Sequence, residues 1–152
     1  MIQRIQSLWL LLAAVALIAV CFFPVGKFIM PQGLYECSAF KIIQTGELPL
    51  LNLPVWIFGL LAGFAGFFSF LAIFHFKKRS RQIRLTGIAL VFKTVLAVSM
   101  VCMFLYIKYL MQPEIVYGAS AWLPFIGIIF DLLAINGIRK DDALVKSLDR
   151  IR

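Results

Sequence analysis

The chain has 152 residues, 62% of them hydrophobic and only 14% charged, with a formal net charge of +8. A soluble domain of this length could not hide so much apolar surface, because its core is limited by its volume, so lipid is the expected solvent. No polar remainder is left for a separate soluble module, and residues 1–152 read as one integral membrane domain.

Four apolar segments approach the roughly 20 residues that a spanning helix needs: about 7–23, 53–76, 85–111 and 119–137. No stretch alternates with period two over the length that a membrane β-barrel requires. The expected fold is all-α, a four-transmembrane-helix bundle.

In the first segment, Arg4 before an apolar core also suits a signal peptide. Val20, however, precedes Cys21 where a lipoprotein cleavage site needs a small residue, and the run continues as "CFFPVG". It reads as a retained helix. The connection that follows contains "FIMPQGLYECSAFKIIQTGE", a Pro-Gln-Gly turn between β-prone residues and then Thr-Gly, which predicts a small hairpin on the outer side. Cys21 and Cys37 both fall near that side. They stand as free thiols or as one bridge, and the three cysteines have no CxxC or metal-ligand spacing.

The second segment carries small residues in a stripe: Gly59, Ala62, Gly63, Gly66 and Ser69. Gly59, Gly63 and Gly66 are candidate helix-packing positions, because small residues let helix backbones approach closely. The loop "FHFKKRSRQIR" follows. Its Lys77, Lys78, Arg79, Arg81 and Arg84 mark the cytoplasmic side by the positive-inside rule and form a candidate surface for anionic lipid or a partner. Both termini are then inside. The inner segments hold eleven basic residues against Asp141, Asp142 and Asp149, while outer Lys27, Lys41 and Lys108 balance Glu36, Glu47 and Glu114. The inner side therefore carries the whole net charge. Trp56, Tyr106, Tyr109, Tyr117 and Trp122 fall at outer helix ends and Trp9 at an inner one, as interfacial aromatics do.

The third segment places Lys93 in the middle of "GIALVFKTVLAV", and the fourth places Asp131 in "IGIIFDLLAING". At 1.5 Å rise per residue, each lies roughly 10–12 Å below the inner interface. A lone charge in the hydrocarbon costs roughly 2.5–3.5 kcal/mol, so two opposite charges at one depth predict an ion pair. Ala89 and Ala97 flank Lys93, and Gly127 and Ala134 flank Asp131, which turns both toward the bundle interior. Three readings stand: the pair sets helix register, Lys93 snorkels to the inner headgroups without a partner, or the pair serves as a proton or ion relay or a substrate anchor. A relay needs a chain of polar groups, and these helices offer only Thr86, Thr94, Ser99 and Asn136.

Asn136 and Gly137 are expected to end the fourth helix. "RKDDALVKSLDRIR" then predicts a separate cytoplasmic amphipathic helix over 141–152, with Leu144, Leu148 and Ile151 on one face and Asp141 and Asp142 at its start.

His75, the lone histidine, borders the basic loop and suits a solvated interface rather than ligation. No Ser/His/Asp set, carboxylate cluster or Gly-rich phosphate loop is present, and no enzyme, metal or cofactor is expected. The expected role is an accessory or scaffold subunit of a membrane complex. The alternative is a small oligomeric transporter or channel using Lys93 and Asp131. Expected partners are anionic headgroups and other membrane proteins or further copies of the chain. Nucleic acid is not expected. Contact with a ribosome is compatible with the basic face, although membrane orientation already accounts for that charge.

The opening "MIQRIQSLWLLLAAV" and the closing "IRKDDALVKSLDRIR" resemble a family of small four-helix bacterial inner-membrane proteins grouped only as a domain of unknown function. The likeness extends over essentially the whole chain. It implies an integral membrane location and brings no activity, cofactor or catalytic residue. "GLYEC", Gly33 to Cys37, is similar to the Gly-Leu-Trp…Cys element in the first outer loop of claudin-type four-helix proteins, with Tyr35 in place of the tryptophan and without the second loop cysteine. That similarity implies a role in adhesion or assembly.

Overall fold

A computed structural model describes residues 3–31, 33–46, 53–76 and 78–149. Its helices are α1 (Gln3–Phe22), α2 (Trp56–Phe74), α3 (Arg79–Met111) and α4 (Leu123–Asp149), and its strands are β1 (Gly26–Met30), β2 (Gly33–Cys37), β3 (Ile42–Gly46) and β4 (Glu114–Tyr117). All four helices are long and apolar enough to cross a membrane. No more than 39% of any of the four apolar windows is buried inside the chain. Most of the remaining apolar surface therefore faces outward, where a soluble fold would carry charge.

The helices pack in a ring, α1 on α2, α2 on α3, α3 on α4 and α4 back on α1. Their inward stripes recur every three or four residues, as helical geometry requires. In α2 the stripe is Phe58, Gly59, Ala62, Ala65, Gly66, Ser69 and Ala72. Aromatic stacking of Phe68 on Phe92, ring centres 5.7 Å apart, joins α2 to α3. With 33 residues, α3 is about 50 Å long and overshoots a hydrocarbon core of about 30 Å by several turns. It ends where Gln112 adopts a left-handed conformation (φ 46°) and donates its backbone N–H to Lys108 O at 3.1 Å, just before Pro113.

One end of the bundle is covered by a four-stranded antiparallel sheet in the order β3-β2-β1-β4. The expected hairpin is thus only part of the element. β1 and β2 pair in the register Phe28↔Tyr35, β3 adds outside β2, and the short connection between α3 and α4 contributes β4, with Phe28↔Ile115. "EIVY" is too short to stand as a strand alone and gains its ladder from β1. One face of the sheet, with Phe28, Tyr35 and Cys37, is buried over the bundle. The opposite face exposes Ile29, Leu34, Ile43 and Val116 around a Lys27–Glu36 ion pair of 3.4 Å.

Cys21, Cys37 and Cys102 are all free, so the optional bridge is absent. Burial pushes the Cys37 thiol up to about 12, which keeps it protonated and unreactive at neutral pH.

The fourth helix differs from expectation at its inner end. α4 passes through Asn136 and Gly137 without a break and continues to Asp149, so no separate helix begins at Asp141. Arg139, Lys140, Ala143, Leu144, Lys146 and Leu148 are good helix formers, and one glycine costs only about 1 kcal/mol against alanine. Gly137 serves a close approach instead, since a Cβ there would lie 3.0 Å from Gln6 Cγ on α1. Asp141 is a buried acceptor: Gln6 Nε2 donates to its Oδ2 at 2.6 Å. On the predicted apolar face, Leu144 is exposed, and Leu148 and Ile151 lie outside the described side chains.

Beneath the sheet, Gly118 N–H donates to Val25 O at 2.9 Å, and Ser120 Oγ donates to Pro24 O at 2.5 Å. A Cβ on Gly118 would overlap the Pro24 carbonyl oxygen, which is backbone and cannot swing away, whereas a Cβ on Gly63 would meet nothing. Gly118→Ala is expected to cost about 1–3 kcal/mol as overpacking. Gly63→Ala, inside α2 and with open space for the Cβ, is expected to stabilise by up to about 1 kcal/mol. Unfolding midpoints of the two variants in mild detergent check both.

Candidate functional site

Lys93 lies on the inward stripe of α3 with Thr86, Ala89, Leu96, Ala97 and Met100, all buried. Its stem needs room, and Gly127 on α4 supplies it: a Cβ there would stand 3.4 Å from Lys93 Cδ and 2.7 Å from Leu17 Cδ2 of α1. One turn further along α4, Asp131 faces the ammonium group. Lys93 Nζ donates to Asp131 Oδ2 at 2.5 Å and to Ser69 Oγ of α2 at 2.8 Å. Lys93, Asp131 and Ser69 are each 0% exposed. Three neighbouring helices thus meet at one level through three side chains.

Ser69 was read from the sequence only as a small packing residue. Its signal was present: it is the one polar residue in the α2 run Trp56–Phe74. The other candidate polar residues do not extend the cluster. Thr86, Thr94 and Ser99 donate back to carbonyls of their own helix, at Gln82, Leu90 and Leu96, and Asn136 is exposed. Asp131 Oδ1 has no hydrogen-bond partner. Among the described residues, no three His, Cys, Asp or Glu side chains gather as a metal site would need.

The candidate packing glycines divide. Gly59 is buried where a Cβ would overlap the Phe40 ring, and Gly66 packs on Ala14, Leu17 and Ile18 of α1. Gly63 is exposed on the outer side of α2, a correction to its expected packing role. Gly59, Ala62, Gly66 and Ser69 are buried within the chain, which leaves Gly63 as the exposed member of the stripe.

The basic loop lies at the opposite end from the sheet. Lys78, Arg81 and Arg84 are exposed, and Lys77 lies outside the described residues. Arg79 Nη1 donates to the Asp141 carbonyl at 3.1 Å, so α1, α3 and α4 are clamped here through Gln6, Arg79 and Asp141. Neither Gln6 nor Asp141 was singled out as a contact from the sequence; the two lie 135 positions apart. His75 Nδ1 donates to Leu71 O at 3.0 Å, within its own turn.

Among the described residues a cleft opens at the basic end, and apolar clefts open in the outer half between α3 and α4 and between α2 and α3. None is lined by Lys93, Ser69 or Asp131. The pair is enclosed, and its geometry suits holding helices rather than receiving a ligand.

Removing one partner of a buried ion pair leaves an uncompensated charge and costs about 3–5 kcal/mol. Lys93→Met and Asp131→Leu are each expected to destabilise by that amount. The double variant, with no charge left, is expected to recover most of the loss, as is the exchange Lys93→Asp with Asp131→Lys. Unfolding midpoints and the amount of inserted protein for the four variants check this.

Comparison with curated proteins and with solved structures finds no match. The model of the family described as Domain of unknown function (DUF4293) matches residues 2–151, nearly the whole chain. The chain belongs to this family of small proteins of unknown function.

Proposed function

We propose that the chain is an integral protein of a bacterial inner membrane, with both termini in the cytoplasm, acting without catalysis as an accessory or scaffold subunit of a membrane complex. The observation that carries this reading is the enclosed Lys93–Asp131–Ser69 contact: the strongest chemistry in the molecule is spent on fastening helices together. Apolar outward faces on all four helices support a lipid setting. Charge supports the orientation, since the basic loop, the start of α1 and the end of α4 share the end away from the sheet, and cytoplasmic segments carry the excess of Lys and Arg. The outer sheet presents exposed aliphatic side chains at Ile29, Leu34, Ile43 and Val116, which suits contact with another membrane protein better than bare solvent does.

One observation favours a second reading, a small oligomeric transporter or channel. Asp131 Oδ1 is buried without a partner, and such an atom in a membrane helix often marks an ion or proton pathway. The charge-free variant Lys93→Met with Asp131→Leu separates the two readings. A scaffold keeps its cellular phenotype in that variant, whereas a transporter loses it.

Two further measurements test the leading reading. In a chain without native cysteines, Leu34→Cys is expected to react with a membrane-impermeant maleimide on intact cells, and Lys140→Cys only after permeabilisation. Labelling in the reverse order would overturn the orientation. Purified from native membranes in mild detergent, the chain is expected to co-migrate with a stoichiometric membrane partner. A lone monomer would overturn the accessory role.

A further inference from the structure

We propose that the cleft between the start of α3 and the inner extension of α4 is a binding site for the headgroup of an anionic phospholipid of the phosphatidylglycerol kind, a phosphodiester bearing free hydroxyls. The inference rests on the membrane orientation given above and adds a ligand to it. The cleft has a volume of about 580 Å³, within the range of small-ligand sites. Its polar wall is Lys78, Arg79, Arg81, Ser80 and Asp142. Three cations against one carboxylate leave that wall at a net charge of +2. The two outer clefts, about 310 and 480 Å³, are lined almost wholly by apolar side chains.

The nearest other acid does not neutralise the cleft. Asp141 is turned inward and its carboxylate is taken by Gln6, while its backbone carbonyl receives Arg79 Nη1 at 3.1 Å. That contact holds the guanidinium in place and leaves its other N–H groups for an anion, so less side-chain freedom is lost on binding. Lys78 and Arg81 are exposed and add charge from the rim. The exposed Ser80 hydroxyl adds a further donor beside these cations, which suits an anionic headgroup better than a choline. α3 has no acidic residue in its first turn and no side-chain cap, so its positive end reinforces the same field.

The lip of the cleft argues for a lipid rather than a free anion. Phe76 and Val145 line it, 47% and 41% exposed, next to the cations. A soluble phosphate gains nothing from them. The glycerol backbone and first methylenes of a phospholipid cover them while the phosphate reaches the arginines. α3 also overshoots the hydrocarbon at this end, which sets its first turn at headgroup level.

The test uses the full chain reconstituted in vesicles of phosphatidylcholine with a minor fraction of phosphatidylglycerol, extracted in mild detergent, with retained lipids identified by native mass spectrometry. Phosphatidylglycerol is expected to be retained over phosphatidylcholine roughly tenfold or more. Lys78→Glu with Arg81→Glu is expected to abolish that preference. Arg139→Glu with Lys140→Glu, the same charge change elsewhere at this end, is expected to keep it. Lys78→Gln with Arg81→Gln serves as the milder variant should the reversed one fail to fold, and is expected to weaken the preference severalfold.

Equal loss in both reversed variants would overturn the proposal, because attraction would then be diffuse. So would equal retention of the two lipids, or displacement of the bound lipid by inorganic phosphate, which would make the site one for a free anion. Protease protection in the same vesicles keeps the readings apart. A chain that fails to insert sinks the membrane reading, whereas an inserted chain without lipid preference sinks only this one.

Discussion

The contact between Lys93 and Asp131 is the constraint on which the bundle depends. Helices in lipid gain little from burying apolar side chains against one another, because the acyl chains are as apolar as leucine. Close packing and polar contacts must then choose the arrangement. The ammonium group draws in α4 through Asp131 and α2 through Ser69, and Gly127 lets the lysine stem pass between α4 and α1. A slip of one residue in α3 or α4 would swing a charge away from its partner, and one in α2 would withdraw the Ser69 acceptor. The pair therefore sets register, whatever its net contribution to stability.

The two ends of the bundle are secured by different means. At the sheet end the Ser120 hydroxyl holds the Pro24 carbonyl, and the other connections are backbone to backbone: β4 joins β1, and Gly118 N–H closes on Val25 O. These backbone bonds depend on chain path rather than side-chain identity. At the basic end the fastening is by side chains, with Gln6, Arg79 and Asp141 linking α1, α3 and α4. The positive charge concentrated there would repel itself in a small volume. Placing Asp141 inside the clamp, and leaving Lys78, Arg81 and Arg84 outward, keeps the repulsion in contact with solvent and headgroups.

This division matters for function. The buried cluster is enclosed, while the aliphatic outer face of the sheet and the charged cleft at the other end stay accessible. Gly59 and Gly66 in the small-residue stripe of α2, which looked available to a partner, are taken up by Phe40 and by α1. The family to which the chain belongs is described only as a domain of unknown function.

Composition alone determined that the chain needs an apolar solvent, and helical periodicity with length determined four helices, because both are local properties summed along the sequence. The match in depth between Lys93 and Asp131 was legible for the same reason, since rise per residue converts position into height. What height cannot encode is direction around the helix axis and distance between segments. Only the tertiary structure decided that Ser69 is the third partner, that Gly63 points away while Gly66 points in, and that Gln6 reaches Asp141. It also decided that "EIVY" is a strand, because its hydrogen bonds go to β1, remote in sequence. α1 packs where a side chain on Gly137 would stand, and that neighbour is invisible from the residues around the glycine itself.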